Sequence, residues 1–319
     1  MTTKKINGMI FTLSSRTKCL KLSLESLYKY YNNKWNYPLF IYYFDNIYDE
    51  NYKKDIHDNI SNNIYFHQID YGIPDFINDN DLFMNKKNKY AKNFNKNRIG
   101  YLHMIHFLVN SYYYPGTHMH LYDYCFHFDD ESLWTKDIEI DFFEELNNHN
   151  RLVGSFNTYY YPSLGANQNV HDTTEGLFEF CLNYIKKYNI TKKNTKAYKA
   201  FESKENFYKD YFLITDSQIY NNNFFKLPEW KQWITEINRS GMIYKARWGD
   251  HELNGLFWAI HFDTDYLSLC NINRNGIGEA SILGINNSEL RSIQNFAPGV
   301  KYIYKKLNQE ELSYAFHNY

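Results

Sequence analysis

Three consecutive acids, Asp129, Asp130 and Glu131, close the alternating aromatic stretch HLYDYCFHFDDES at residues 120–132. Aspartate is a poor strand former and adjacent carboxylates repel, so such a cluster at a strand end is either fully solvated or neutralised by a cation. Asp129 and Glu131, as an acid-x-acid pair, would present two oxygen ligands on the same side of the chain, a donor set suited to Mn²⁺ or Mg²⁺. Such an ion keeps positions open for a diphosphate, so the chemistry on offer would be departure of a nucleoside diphosphate from a nucleotide sugar. A solvated acidic turn remains the alternative. His103, His106, His118, His120 and His127 lie just upstream. They have neither a Glu between helical partners nor a Cys companion, so they are expected to pack rather than to bind metal.

The elements that must carry these acids are legible from periodicity. Residues 6–13, INGMIFTL, form a short apolar run, and Leu20, Leu24, Leu27 and Tyr31 follow at helical spacing behind Thr17. Two more apolar runs, YPLFIYYFD and NIYFHQID, enclose the polar segment 47–61, which can form a helix. The opening therefore reads β-α-β-α-β, which implies a mostly parallel sheet with ligands beyond the carboxyl ends of its strands. Asp45 and Asp129 sit at such ends. Residues 72–97 lack a sustained period and read as an irregular excursion. Helix returns over 98–114, and helices at 141–150 and 174–188 flank a short strand, RLVGSF, ahead of a Lys-rich joint at 189–200. No repeat or shift of composition marks a boundary, so residues 1–319 are expected to form one α/β unit. Its nucleotide-binding half covers about 1–135 and its acceptor-binding half about 136–319.

Composition narrows the function. The 319 residues are 44% hydrophobic and 19% aromatic, enough for a large core. With 35 basic against 36 acidic residues there is no positive field for nucleic acid. Four cysteines, Cys19, Cys125, Cys181 and Cys270, form no Cys-x-x-Cys pair, which argues against structural zinc and disulfides and for a reducing compartment. No signal peptide or long apolar run is visible, so a cytoplasmic chain without a membrane anchor is expected.

A second chemical stretch, residues 214–260, holds Arg247, Trp248, Gly249 and Asp250 as RWGD between an aromatic-rich turn and a helix. By itself this reads either as a sugar site, with Trp248 offering an aromatic face and Asp250 a hydroxyl acceptor, or as a loop packed on the core with Asp250 capping the helix. RWGD closely resembles the signature of the fungal α-1,2-mannosyltransferases, glycosyltransferase family 15, which reads roughly GGFxYERWGDAPVHS. YYNNKWNYPLFIYYFDN resembles that family's FN-x-x-Y-x-YPW-x-FLND region, and YLHMIHFLVNSYYY its YR-x-MCRF-x-SG helix. YDYCFHFDDES is similar to YDYYWRVEPDV, the family's metal-site strand, so Asp129, Asp130 and Glu131 take the places of its glutamate, proline and aspartate.

The resemblance implies a GT-A-like fold, a Rossmann-related, mostly parallel sheet flanked by helices with a smaller antiparallel part. It also implies a retaining mannosyltransferase using GDP-mannose, Mn²⁺ (or Mg²⁺) and a glycan or glycoprotein acceptor. Asp129 and Glu131 would hold the metal, with Arg16, Asp45 and Asp130 on the donor and Arg247 and Trp248 on the acceptor. Gln218 and Asp250 would be catalytic. Gln218 stands where the family has a glutamate proposed as nucleophile, and His127 where it has an arginine. Because an amide is no nucleophile, Gln218 would instead stabilise an oxocarbenium-like centre in a front-face reaction. A catalytically silent carbohydrate-binding relative, and a transferase for another nucleotide sugar, stand as alternatives. Fungal members are Golgi membrane-anchored; this chain would act in the cytoplasm, that of a host if it is viral.

Overall fold

The computed structural model describes residues 6–86, 99–130, 132, 134, 137–155, 174–191 and 217–262. Glu131, Cys270 and most of the Lys-rich joint lie outside the described residues.

Six strands form one sheet in the order β3-β2-β1-β4-β6-β5. They are β1 (Gly8–Leu13), β2 (Leu39–Tyr43), β3 (Ile64–Gln68), β4 (Tyr124–Phe128), β5 (Val153–Ser155) and β6 (Ser217–Asn221). β1 pairs in parallel with β2 and β4, and β2 with β3. β6 runs antiparallel to both β4 and β5, which gives the smaller antiparallel part. β2 and β4 are buried along their whole length, which is why they read as continuous apolar runs rather than as alternations.

Helices cover both faces. α1 (Thr17–Leu27) buries Leu20, Leu24 and Leu27, the positions its periodicity marks. α2 (Glu50–Asn59) starts at Asp49, whose carboxylate accepts from the Tyr52 N–H at 2.7 Å. α4 (Phe142–Asn148) starts likewise at Asp141. With Phe126, Phe128 and Ile219 these helices form one core layer. A Cβ on Gly8 would meet the Phe143 ring at 2.4 Å, so glycine is what lets α4 lie this close to β1.

The other face carries α3 (Ile99–Asn110), α5 (Leu177–Lys187), α6 (Pro228–Ser240), α7 (Met242–Ala246) and α8 (Asp250–His261). Trp230, Trp233, Trp248, Phe257 and Trp258 pack there with Met9, Phe11 and Cys125 of the sheet. α6 opens on a proline at its first turn and ends at Gly241, with φ +68°, the usual asymmetry of helix ends. Among the described residues no helix is long and apolar enough to cross a membrane.

Candidate active site

The carboxyl ends of β1, β2 and β4 point to one edge of the sheet. β6 runs the other way, so its first residues lie at that same edge: Gln218 is paired with His127 and Ser217 with Phe128. This edge gathers Ser14 to Arg16, Asp45, Asp129, Asp130 and Gln218.

The described acids of the cluster do different things. Asp130 is buried, accepts from Ser14 Oγ at 2.6 Å and from the Ser15 N–H at 3.3 Å, and forms an ion pair with Arg16. The Tyr48 hydroxyl donates to Ser14 Oγ at 2.5 Å, and burial together with the charge of Asp130 raises its pKa. Asp130 therefore bolts the end of β4 to the end of β1, a role its sequence position next to another acid did not reveal. Asp129 is 33% exposed, with Oδ1 3.7 Å from Nε2 of the buried His127. His127 packs on Phe11, ring centroids 5.1 Å apart, so the five-histidine run contributes one residue to this edge.

A hard divalent ion fits an aspartate oxygen in such a position, partly open at a strand end. Asp129 is the described acid in such a position, whereas Asp130 has its oxygens turned toward Ser14, Ser15 and Arg16. Among the described residues there is no group of three or more His, Cys, Asp or Glu able to hold a metal. The acid-x-acid partner expected of Asp129 is Glu131.

Gln218 is buried in β6. Strand pairing sets it in a row with His127 and Phe11 across β6, β4 and β1, all on the face that meets α3 and α6–α8. Its carbonyl oxygen accepts from the Tyr220 hydroxyl two residues along the same strand. Tyr220, Ser14 and Tyr48 are the site residues that sequence reasoning missed. Period-two alternation from Gln218 was the one available pointer, and it marks Tyr220.

Asp45 is exposed just beyond β2 and accepts from the Tyr71 hydroxyl at 3.0 Å. The Tyr71 ring packs on His103, centroids 4.5 Å apart, and His103 Nδ1 lies 3.0 Å from the Tyr244 hydroxyl. Burial pushes the pKa of His103 and His106 down from 6.5 to about 4. Both are neutral when folded but would take up protons when unfolded between those values. Their contribution to stability is complete above about pH 6.5 and is lost as pH falls toward 4. The melting temperature is expected to decline through that window; a flat profile from pH 6.5 to 4 would count against the buried, neutral placement.

The RWGD segment joins α7 to α8. Arg247 has φ +58°, the left-handed region, and its guanidinium lies over the Tyr101 ring, 4.9 Å from the centroid. Burial raises the Tyr101 hydroxyl to about 12, against the opposing pull of Arg247. Trp248 does not offer the aromatic face expected of it: it is 1% exposed, its indole N–H donates to the Glu175 carbonyl at 2.9 Å, and Phe180 packs on it with centroids 5.0 Å apart. The backbone reversal at Arg247 turns the next side chain inward, so packing claims this tryptophan. Asp250 is the first residue of α8 and is buried; Gly249 takes the N-cap position. A Cβ on Gly249 would come within 2.2 Å of a Glu252 carboxylate oxygen, as expected when the third helical residue folds back over the cap.

A family model described as glycolipid 2-alpha-mannosyltransferase matches residues 2–271. No curated protein matches the chain. Among solved structures, core-mannan synthase A from Aspergillus fumigatus, in a Mn/GDP form, aligns with a TM-score of 0.67 at 16% identity, over 83% of this chain and 73% of that one. The mannosyltransferase Ktr4p from S. cerevisiae, in complex with GDP, aligns with a TM-score of 0.66 at 20% identity, over 82% and 68%. The fold is the GT-A-like α/β fold expected from the sequence.

Proposed function

The chain belongs to the glycolipid 2-alpha-mannosyltransferase family and is a glycosyltransferase, and on that premise we propose that it transfers mannose from GDP-mannose to a sugar hydroxyl of a glycan or glycoprotein. The transfer would retain anomeric configuration, require a divalent metal and form an α-1,2 linkage. The observation that carries this reading is the row ending in Gln218, which pairs a buried amide with His127, whose Nε2 lies 3.7 Å from the partly exposed Asp129. The Mn and GDP present in the solved relatives support the choice of metal and nucleotide.

Asp129 and Glu131 would hold the ion, which, when bound, offsets the charge developing on the departing diphosphate. Asp45, held by Tyr71, accepts hydroxyls of the donor nucleoside, and Arg16 places positive charge near the phosphates while remaining tied to Asp130. Gln218 directs its carbonyl oxygen at the anomeric carbon, where positive charge builds as the bond to the diphosphate breaks. An amide forms no stable glycosyl ester, so the acceptor hydroxyl attacks from the face the diphosphate leaves and gives its proton to a phosphate oxygen. Asp250, at the start of α8, and Arg247, just after α7, orient the acceptor.

Mn²⁺ together with GDP is expected to raise the melting temperature, because a ligand at about 100 times its Kd stabilises the native state by about 2.7 kcal/mol. The double variant Asp129→Ala, Glu131→Ala should lose the metal-dependent part of that rise. An unchanged response in the variant would return the acids to a solvated turn. Transfer from GDP-mannose, with the product anomer assigned by NMR, tests the reaction; nucleotide binding without turnover on any nucleotide sugar would identify a silent relative.

A further inference from the structure

We propose that Tyr220 is a positioning residue that acts through Gln218, an inference that rests on the role given to Gln218 above. An amide side chain is two-faced: its oxygen carries two lone pairs, while its nitrogen only donates. For stabilising an electron-poor carbon only the oxygen serves, and the side chain must be held with that end presented. Shape alone does not select that end, since the side chain terminates in a nearly symmetric planar group.

The phenol of Tyr220 supplies the restraint. Tyr220 follows Gln218 by two residues in β6, on the same face, and its hydroxyl donates to Gln218 Oε1. The ring itself is set independently of that bond. It packs against Phe225 with centroids 4.8 Å apart and against Phe224 at 5.6 Å, nearly parallel to the latter. Both phenylalanines are buried. A phenol clamped by its ring orients the amide, rather than the reverse. Tyr220 takes up one lone pair of Oε1 and so fixes which end of the amide is its oxygen end. Gln218 and Tyr220 are both largely shielded from water, so solvent does not compete for the bond.

The test uses the full chain and Tyr220→Phe, which keeps the ring and its packing. With Gln218 in place, this substitution should lower kcat about tenfold and leave the KM for GDP-mannose unchanged. In a Gln218→Ala background it should change nothing further, since there is no amide left to orient. A second arm needs no turnover. The carboxyl introduced by Gln218→Glu, titrated by isotope-edited NMR, should rise in pKa by about one unit when Tyr220→Phe removes the donor to its charged form. Unchanged kcat in Tyr220→Phe, alongside a slow Gln218→Ala, would overturn the positioning role while leaving Gln218 catalytic. An equal loss in the Gln218→Ala background, or a carboxyl pKa indifferent to Tyr220, would also overturn it. Full activity of Gln218→Ala would instead remove the reading of Gln218, and the positioning role with it.

Discussion

Gln218→Ala is expected to slow transfer by about 10²-fold while donor binding stays close to that of the parent. That is the usual scale for losing one preorganised electrostatic stabiliser of a developing charge. The effect should fall on kcat, because the carbonyl oxygen meets substantial positive charge only as the bond to the diphosphate breaks. Structural collapse is a poor alternative explanation for such a loss. Gln218 is the second residue of β6, and the strand's apolar core contacts are made by Ile219 on the opposite face and by Tyr220 on the same one. Steady-state kinetics with GDP-mannose, together with the melting temperature of the variant, separate the two effects. Retained activity with retained anomeric configuration would place the stabilising group elsewhere.

Asp130→Ala should destabilise the protein far more than Asp129→Ala does. The carboxylate is buried and joins Ser14, the Ser15 N–H and Arg16. Removing it takes the paired carboxylate from a guanidinium whose side chain is only 13% exposed, and breaking one side of a buried ion pair typically costs about 3–5 kcal/mol. Asp129→Ala, one residue away, removes a partly open carboxylate and should cost under about 1 kcal/mol, in line with an ordinary surface change. Urea unfolding of the two variants makes the comparison. Equal losses would mean that the two acids share one role after all.

That contrast shows where the sequence was readable. β1, β2, β4 and α1 were legible because a doubly covered sheet demands unbroken apolar runs, and because Leu20, Leu24 and Leu27 mark one helix face; β6, whose SQIYN is no such run, was not read as a strand. The different fates of Asp129 and Asp130 were not, because the residues that claim Asp130 come from the end of β1, far away in the chain. Trp248 misled for a related reason. An aromatic residue beside an acid suits a sugar site and a core equally, and the reversed backbone at Arg247 that decides between them leaves no mark in residue type. The expected catalytic position of Gln218 came from its resemblance to a family motif, whereas its tie to Tyr220 needed the register of β6.

The strand order also bears on how fast the chain can reach its native state. β1, β2 and β3 are neighbours in sequence and in space, separated only by α1 and α2, so this unit closes short loops and can assemble early. The partner on the other side of β1 is β4, which pairs Gly8 with Tyr124 across most of the first half of the chain. That loop must close before any of its pairing returns free energy. Entry of β4 into the sheet is thus the slow event, and the catalytic edge, assembled from the ends of β1, β4 and β6, is completed only after it.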